Sequence, residues 1–452
     1  MRNSLLLKCL VIGLLILAIM IPLGMIENTV AERQSFDQQA VTSVEQGFAG
    51  AQTLVGPVVV VPYLADVPIT VNDSNGVPHS QVRAERGVWT FFPKTVAVDG
   101  SLAPEFKHRG IHQVLTYEMG TDLKGHFDIV LPTEVSGATL RSVGKPCLSF
   151  GIDDVRGLIG TPTLSIDGRP TALLQGAGGE RRASGVHADL PALAAGQSRS
   201  FGVAMDFTLG GTERIAIAPV GDSNRIELKS TWPSPDFEGR FSPHQPVISA
   251  SGFDATWDIS ALAANTQGQY ADGGMKDGAD AIEVNLVDPV NVYVKADRAT
   301  KYGLLFVLLT FVGFFMFELI KRLRIHPIQY LLVGLALAIF FLLLVSLSEH
   351  FDFVWSYVGA SAACIGLQGF YLSCVLHSRL RGIGFATMLT VLYGALYGLL
   401  GSEDNALLLG SLMLFAILAA IMVVTRRIDW YRVAQGPLAD GDDVFDPETA
   451  RA

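Results

Sequence analysis

Five ionisable residues stand beside long apolar runs, where charge is costly. Glu318 sits in the last turn of one such run, and Lys321 and Arg322 follow three and four residues on. That is the helical spacing of an ion pair. Glu349 and His350 close a second run, and Glu403 and Asp404 precede a third. Loops that bring these two pairs together would gather three carboxylates and an imidazole. Such a cluster can bind a cation, relay protons or hold a polar headgroup. A plainer reading stands beside it. Acids before a helix start cap its free N–H groups and suit its dipole, and Glu403-Asp404 fit that role. Glu318 is open in the same way, as a structural pair or as a site.

Motifs of known chemistry are missing from the sequence. There is no G-x-x-x-x-G-K-[ST], H-E-x-x-H, G-x-S-x-G or C-x-x-C. Gly176-Ala177-Gly178-Gly179 lacks the lysine of a phosphate cradle. His108 and His112 have a helical metal spacing, but their flanks read as strand or loop. No catalytic residue, metal ligand or cofactor is expected, and the chain reads as a non-enzyme.

The elements that position these residues follow from hydropathy. Half of the 452 residues are hydrophobic, 17% are charged, and the mean hydropathy is +0.38. Soluble domains average about 25% charged residues, so much of this surface faces lipid. Residues 5–26, 303–320, 328–347, 353–376, 383–400 and 406–425 have the length and apolarity of membrane spans. The first exceeds the apolar core of a signal peptide and reads as an uncleaved anchor. Arg2 and Lys8 stand at the start of the first run, and Lys321, Arg322 and Arg324, then Arg379 and Arg381, then Arg426, Arg427 and Arg432 follow in alternate loops. The opposite loops carry Glu349, Asp352, Glu403 and Asp404. Basic loops stay cytoplasmic, so both termini are placed inside and residues 28–300 outside, in the periplasm. Tyr330, Trp430 and Tyr431 are expected in the interfacial belt.

Residues 28–300 hold 21 Lys and Arg against 31 Asp and Glu, which is the whole net charge of −10. Such a segment is a poor partner for nucleic acid. Its one cysteine, Cys147, excludes an internal disulfide. Phe36, Ala40 and Val44 recur every fourth residue, predicting a stalk helix to about Gln46, ended by Gly47. Short strands are expected beyond it, among them residues 58–61, 89–92, 114–117, 127–131 and 201–207. Asn75-Gly76, Asp99-Gly100 and Asp167-Gly168 are expected turns. A lobe boundary is placed near residues 160–197. The acidic tail, residues 433–452, reads as disordered.

Several stretches carry a resemblance. They include Gln52-Thr53-Leu54-Val55-Gly56-Pro57, Phe253-Asp254-Ala255-Thr256-Trp257 and His326-Pro327-Ile328-Gln329-Tyr330. Others are Ser346-Leu347-Ser348-Glu349-His350, Glu403-Asp404-Asn405 and Thr425-Arg426-Arg427-Ile428-Asp429-Trp430-Tyr431. Together they resemble the CreD family of bacterial inner-membrane proteins over nearly the whole chain. The resemblance implies a link to envelope integrity and stress response, and it transfers no catalytic residue.

The expected architecture is a membrane α-helical bundle of six transmembrane helices plus a mainly β extracytoplasmic domain. Its divisions are an anchor (1–27), a periplasmic stalk and β-rich domain (28–300), a five-span bundle (301–432) and a tail (433–452). The expected partners are the lipid bilayer and an envelope protein, glycan or lipid. The alternative is a transporter or lipid-handling protein using the ionisable groups at the helix ends. The sequence does not indicate an oligomeric state.

Overall fold

The computed structural model describes residues 3–72, 78–110, 112–178, 184–271, 280–286, 292–321, 325–375, 378–401 and 406–426. The chain forms two compact units, one of Met1–Phe36 with Val290–Ala452 and the other of Asp37–Pro289. Its helices are α1 (Asn3–Gly47), α2 (Thr266–Ala271), α3 (Val292–Lys301), α4 (Gly303–Lys321), α5 (Pro327–Ser348), α6 (Phe353–Val375), α7 (Arg379–Gly401) and α8 (Ala406–Thr425).

Among the described residues four helices, α1, α5, α6 and α7, are long and apolar enough to cross a membrane. Helices α3 and α4 are bent by 47° to one another and make a fifth if the pair is one span. In α8 the apolar stretch among the described residues is shorter, Leu408–Ala419. Within the helical unit α1 buries Ile19, Leu23, Ile26 and Val30, a single helical stripe. Its other face exposes Leu10, Leu14, Leu17, Ile21 and Met25, as contact with lipid requires. Gly334 of α5 makes the docking close. A Cβ there would stand 2.8 Å from Ile19 Cγ1 and 2.9 Å from Phe311 Cζ, so a small residue lets the helices approach.

The other unit is rich in sheet. One nine-stranded sheet runs in the order Pro235–Gly239, Ile282–Leu286, Arg214–Ala218, Gln52–Asn72, Cys147–Ile152, Gly185–Asp189, Leu174–Gln175. Strands Pro78–Phe91 and Thr139–Val143 also pair with Gln52–Asn72. The eight-stranded sheet runs His244–Ser249, Gly252–Ser260, Ser223–Ser230, Thr95–Arg109, His112–Val130, Ser198–Thr212, Leu158–Ile166, Arg169–Thr171. Side chains of both sheets meet in one core, including Val59, Val61 and Phe150 from the first and Phe127, Phe201 and Trp257 from the second. This is face-to-face sheet packing. The valine run at 58–61 is explained by it. Val59 and Val61 enter this core, while Val58 and Val60 join Val55, Cys147 and Tyr270 in another cluster, so both faces are covered.

Three expectations need correction. The strands are longer than expected: residues 114–117 and 127–130 are parts of one strand, His112–Val130. Internal Gly120 and Gly125 do not end it, because both pair in register with Ser198–Thr212. Asp99-Gly100 is not a turn but lies within Thr95–Arg109. Gly100 is there for space, since a Cβ would stand 2.6 Å from Leu228 Cδ2. Residues 160–197 do not separate lobes, because their strands enter both sheets of one compact unit. Asp167-Gly168 does make the expected turn, with φ of 50° and 74°. Asn75-Gly76 lies outside the described residues.

Candidate functional site

Two of the charged candidates, Glu318 and Glu349, meet α1, at separate points along it. Glu318, near the end of α4, is 5% exposed. Its partner is not Lys321 or Arg322, whose side chains lie outside the described residues, but Lys8 near the start of α1. Tyr330 donates its hydroxyl to Glu318 Oε2 at 2.8 Å, and the Ile325 N–H donates to Oε1 at 3.2 Å. Tyr330 is therefore not in an interfacial belt. It is fully buried between Phe311 and Phe314, with ring centroids 5.7 and 4.6 Å away. The turn before it is fixed by a capping box, in which the His326 side chain accepts from Ile328 N and Gln329 reaches back to the His326 N–H. A carboxylate with an ammonium and two further donors is a fastening between helices. Its acceptor positions are largely occupied.

Glu349, at the end of α5, lies 3.4 Å from Arg33 Nε of α1. One helix thus meets a carboxylate near the end of α4 and another at the end of α5. His350 is exposed beside Glu349, and Glu403 and Asp404 lie outside the described residues. Sequence reasoning missed Lys8, Arg33 and Tyr330 as partners. Lys8 carried a signal, as a charge set inside the first apolar run.

The bundle also holds an unsatisfied group. Gln368 of α6 is 2% exposed, and neither atom of its amide has a hydrogen-bond partner among the described residues. A buried amide left unpaired costs about 1–3 kcal/mol.

The far end of α1 is held within the sheet-rich unit. Arg156 donates to the Gln46 carbonyl at 2.7 Å and the Glu45 carbonyl at 3.1 Å, the last-turn acceptors a helix leaves open. Asp154 grips the same guanidinium at 2.9 and 2.6 Å. Gln52 is fully buried; its Nε2 donates to the Asp154 and Gly210 carbonyls at 2.9 Å each, and its Oε1 accepts from the Asp154 N–H at 3.1 Å. Ala40 and Val44 pack on Val114, and Asp37 Oδ1 lies 3.0 Å from His112 Nδ1.

The Arg156 hydrogen bond holds the Asp154 carboxyl below its ordinary value. A carboxyl lowered in the folded state binds fewer protons there than in the unfolded chain. Its stabilisation is present above the ordinary aspartate value of about 3.9 and is lost as pH falls through the folded value. Asp154→Asn should therefore flatten the acid limb of a plot of near-ultraviolet circular-dichroism melting midpoint against pH. Identical acid limbs for parent and variant would refute this.

These features define a class, a polytopic membrane protein with a large sheet-rich domain set between its first and second apolar helices. The chain belongs to the CreD family, whose description, Inner membrane protein CreD, matches over residues 4–431. It is 34% identical to Inner membrane protein CreD of Escherichia coli (strain K12) over 419 residues, covering 92% of this chain and 91% of that protein. The family is named for its membrane and not for a reaction. Among solved structures the chain is similar to an M1 zinc metallopeptidase from Deinococcus radiodurans bound to a peptide substrate. The TM-score is 0.21 at 8% identity, over 43% of this chain and 42% of that one. A second structure of an M1 zinc metallopeptidase from the same organism gives 0.20 and 8%, with the same coverage. Likeness at that level carries no argument about chemistry.

Proposed function

We propose that this inner-membrane protein is a non-enzymatic binding protein supporting envelope integrity and the envelope stress response. Its sheet-rich domain, about residues 28–300, lies in the periplasm and binds an envelope component or partner protein. Six spans carry it, with both termini cytoplasmic. The alternation of basic and acidic loops supports this orientation. The observation that carries the reading is α1 itself. It is fastened by Lys8 and Arg33 in the helical unit and by Arg156 in the sheet-rich unit. A helix held in both units suits a protein that reports occupancy of one unit to the other.

The test is detergent sensitivity of a strain lacking the chain, complemented with the intact chain or with one in which a short linker replaces residues 51–287. At matched membrane levels, the shortened chain is expected to fail to protect. Equal protection would overturn the assignment of function to the domain. The unpaired Gln368 amide favours a second reading, a polar route through the bundle for transport or lipid handling. Vesicles containing the chain that show no ion, proton or lipid movement would sink that alternative.

A further inference from the structure

The sheet-rich unit contains a cleft of about 400 Å³, within the size range of small-ligand sites. It opens where Pro78–Phe91 and Thr139–Val143 flank Gln52–Asn72. Val60, Pro62 and Val88 make an apolar wall. Tyr63 borders the cleft along the strand, but its ring lies on the other face of the sheet, over Gly87 and stacked on Trp89 with centroids 4.4 Å apart. That stacking holds the strand pair beneath the cleft in place before any ligand arrives.

The polar lining is mixed but not balanced. Lys145 Nζ lies 2.6 Å from Asp189 Oδ2, and this bond holds the Asp189 carboxyl below its ordinary value. The two charges cancel. His187 Nδ1 is 2.7 Å from the Gly176 carbonyl. A carbonyl only accepts, so Nδ1 carries a proton and Nε2 is the ring nitrogen left for a ligand. Arg86 lines the same cleft and has no ion-pair partner among the described residues. The cleft thus holds a guanidinium without an ion-pair partner among the described residues, an imidazole Nε2 and an apolar wall. The surrounding segment, residues 28–300, carries a net charge of −10. In such a field a diffuse affinity for anions is excluded, and an anion is held only where a local donor fork outweighs the repulsion.

We infer that this cleft binds a small acidic ligand, a carboxylate or phosphate on a hydroxyl- or amide-bearing body. Arg86 takes the anion, His187 offers Nε2 for a hydrogen bond, and Val60, Pro62 and Val88 line the less polar face of the body. The inference deepens the binding reading above and rests on it for its biological sense. Two envelope sources share this chemistry, an acidic sugar and a phosphorylated lipid headgroup.

The experiment is thermal melting of the full chain in detergent with three probes. They are N-acetylmuramic acid, glycerol 3-phosphate and neutral N-acetylglucosamine. At least one acidic probe is expected to raise the melting temperature with dose, while the neutral sugar does not. Stabilisation by the first acid alone assigns a carboxylate-bearing sugar, and by the second alone a lipid phosphate. Arg86→Gln should weaken the acidic probe about tenfold or more, since a hydrogen bond to a charged group is lost. Arg86 and Ser142 are exposed, so neither substitution disturbs the core. Ser142→Trp fills the cleft and should abolish the shift with every charge intact. No shift with either acid overturns the inference. So does an equal shift with the neutral sugar, or an acid shift unchanged in both variants. Because this reads the purified chain, its failure leaves the domain-replacement result in cells untouched.

Discussion

Glu318→Ala is expected to destabilise the helical unit by about 2–6 kcal/mol, since each of the two buried donors left unpaired costs about 1–3 kcal/mol. The carboxylate is 5% exposed, and its removal strands the Lys8 ammonium, the Tyr330 hydroxyl and the Ile325 N–H. The Lys8 side chain is 30% exposed and can turn to water, whereas the Tyr330 hydroxyl and the Ile325 N–H are buried and cannot. The effect should be conditional. Replacing the set by apolar groups of similar shape, Lys8→Met with Glu318→Leu and Tyr330→Phe, should recover most of the loss, because buried pairs often do little better than well-packed hydrocarbon. Unfolding of the full chain in mixed micelles of increasing sodium dodecyl sulfate reads both. An unchanged midpoint for Glu318→Ala would show that the pair does not fasten α1.

Gln52→Leu should be as severe for the sheet-rich unit. The Gln52 amide satisfies two carbonyls and one N–H, belonging to Asp154 and Gly210, and leucine satisfies none of them. Each buried group left unpaired costs about 1–3 kcal/mol, so a loss of about 3 kcal/mol or more is expected. Gln52→Glu should not rescue it, since a second acceptor would then face two carbonyls. The site has no slack to rearrange. A Cβ on Gly157 would stand 2.4 Å from Gln52 Nε2 and 2.3 Å from the Gly210 carbonyl oxygen. Near-ultraviolet circular dichroism during urea unfolding of the full chain measures this loss. A shift equal to that of a surface substitution would refute it.

The two substitutions also mark what the sequence made legible. Apolar length exposed α1, α5, α6 and α7 directly, because lipid imposes a minimum span that no other constraint mimics. The continuation of α1 beyond the apolar run was readable in Ala40 and Val44, both buried, although Phe36 is exposed. The strands were visible but cut short. Glycine and proline read as punctuation in a sequence, yet Gly100, Gly120 and Pro62 lie inside strands. Pairing on both sides and close approach of neighbouring side chains overrule local preference there. The candidate site was half visible. Glu318 stood out by its place in the last turn of an apolar run, but its partner was sought within one helical turn, and Lys8 is 310 residues away in sequence. Helical spacing restricts only local pairs, so contacts made by helix packing leave no local trace. The same reason hid Arg33 behind Glu349 and placed Tyr330 at the interface instead of inside. Sequence could not reveal the cleft at Arg86, since Thr139–Val143 and Gly185–Asp189, far along the chain from Gln52–Asn72, complete it.

The order of strands in the nine-stranded sheet has a bearing on how such a chain can be assembled. The strand that begins the domain, Gln52–Asn72, and the one that ends it, Ile282–Leu286, both pair with Arg214–Ala218. Gln52 and Val284 both register on Ile215. Two inter-strand steps separate them, about 10 Å, a gap that about three extended residues cover. The domain is therefore a cassette with entry and exit side by side. A lineage can gain, lose or exchange it through one short splice, leaving the order of the membrane helices on either side as it was.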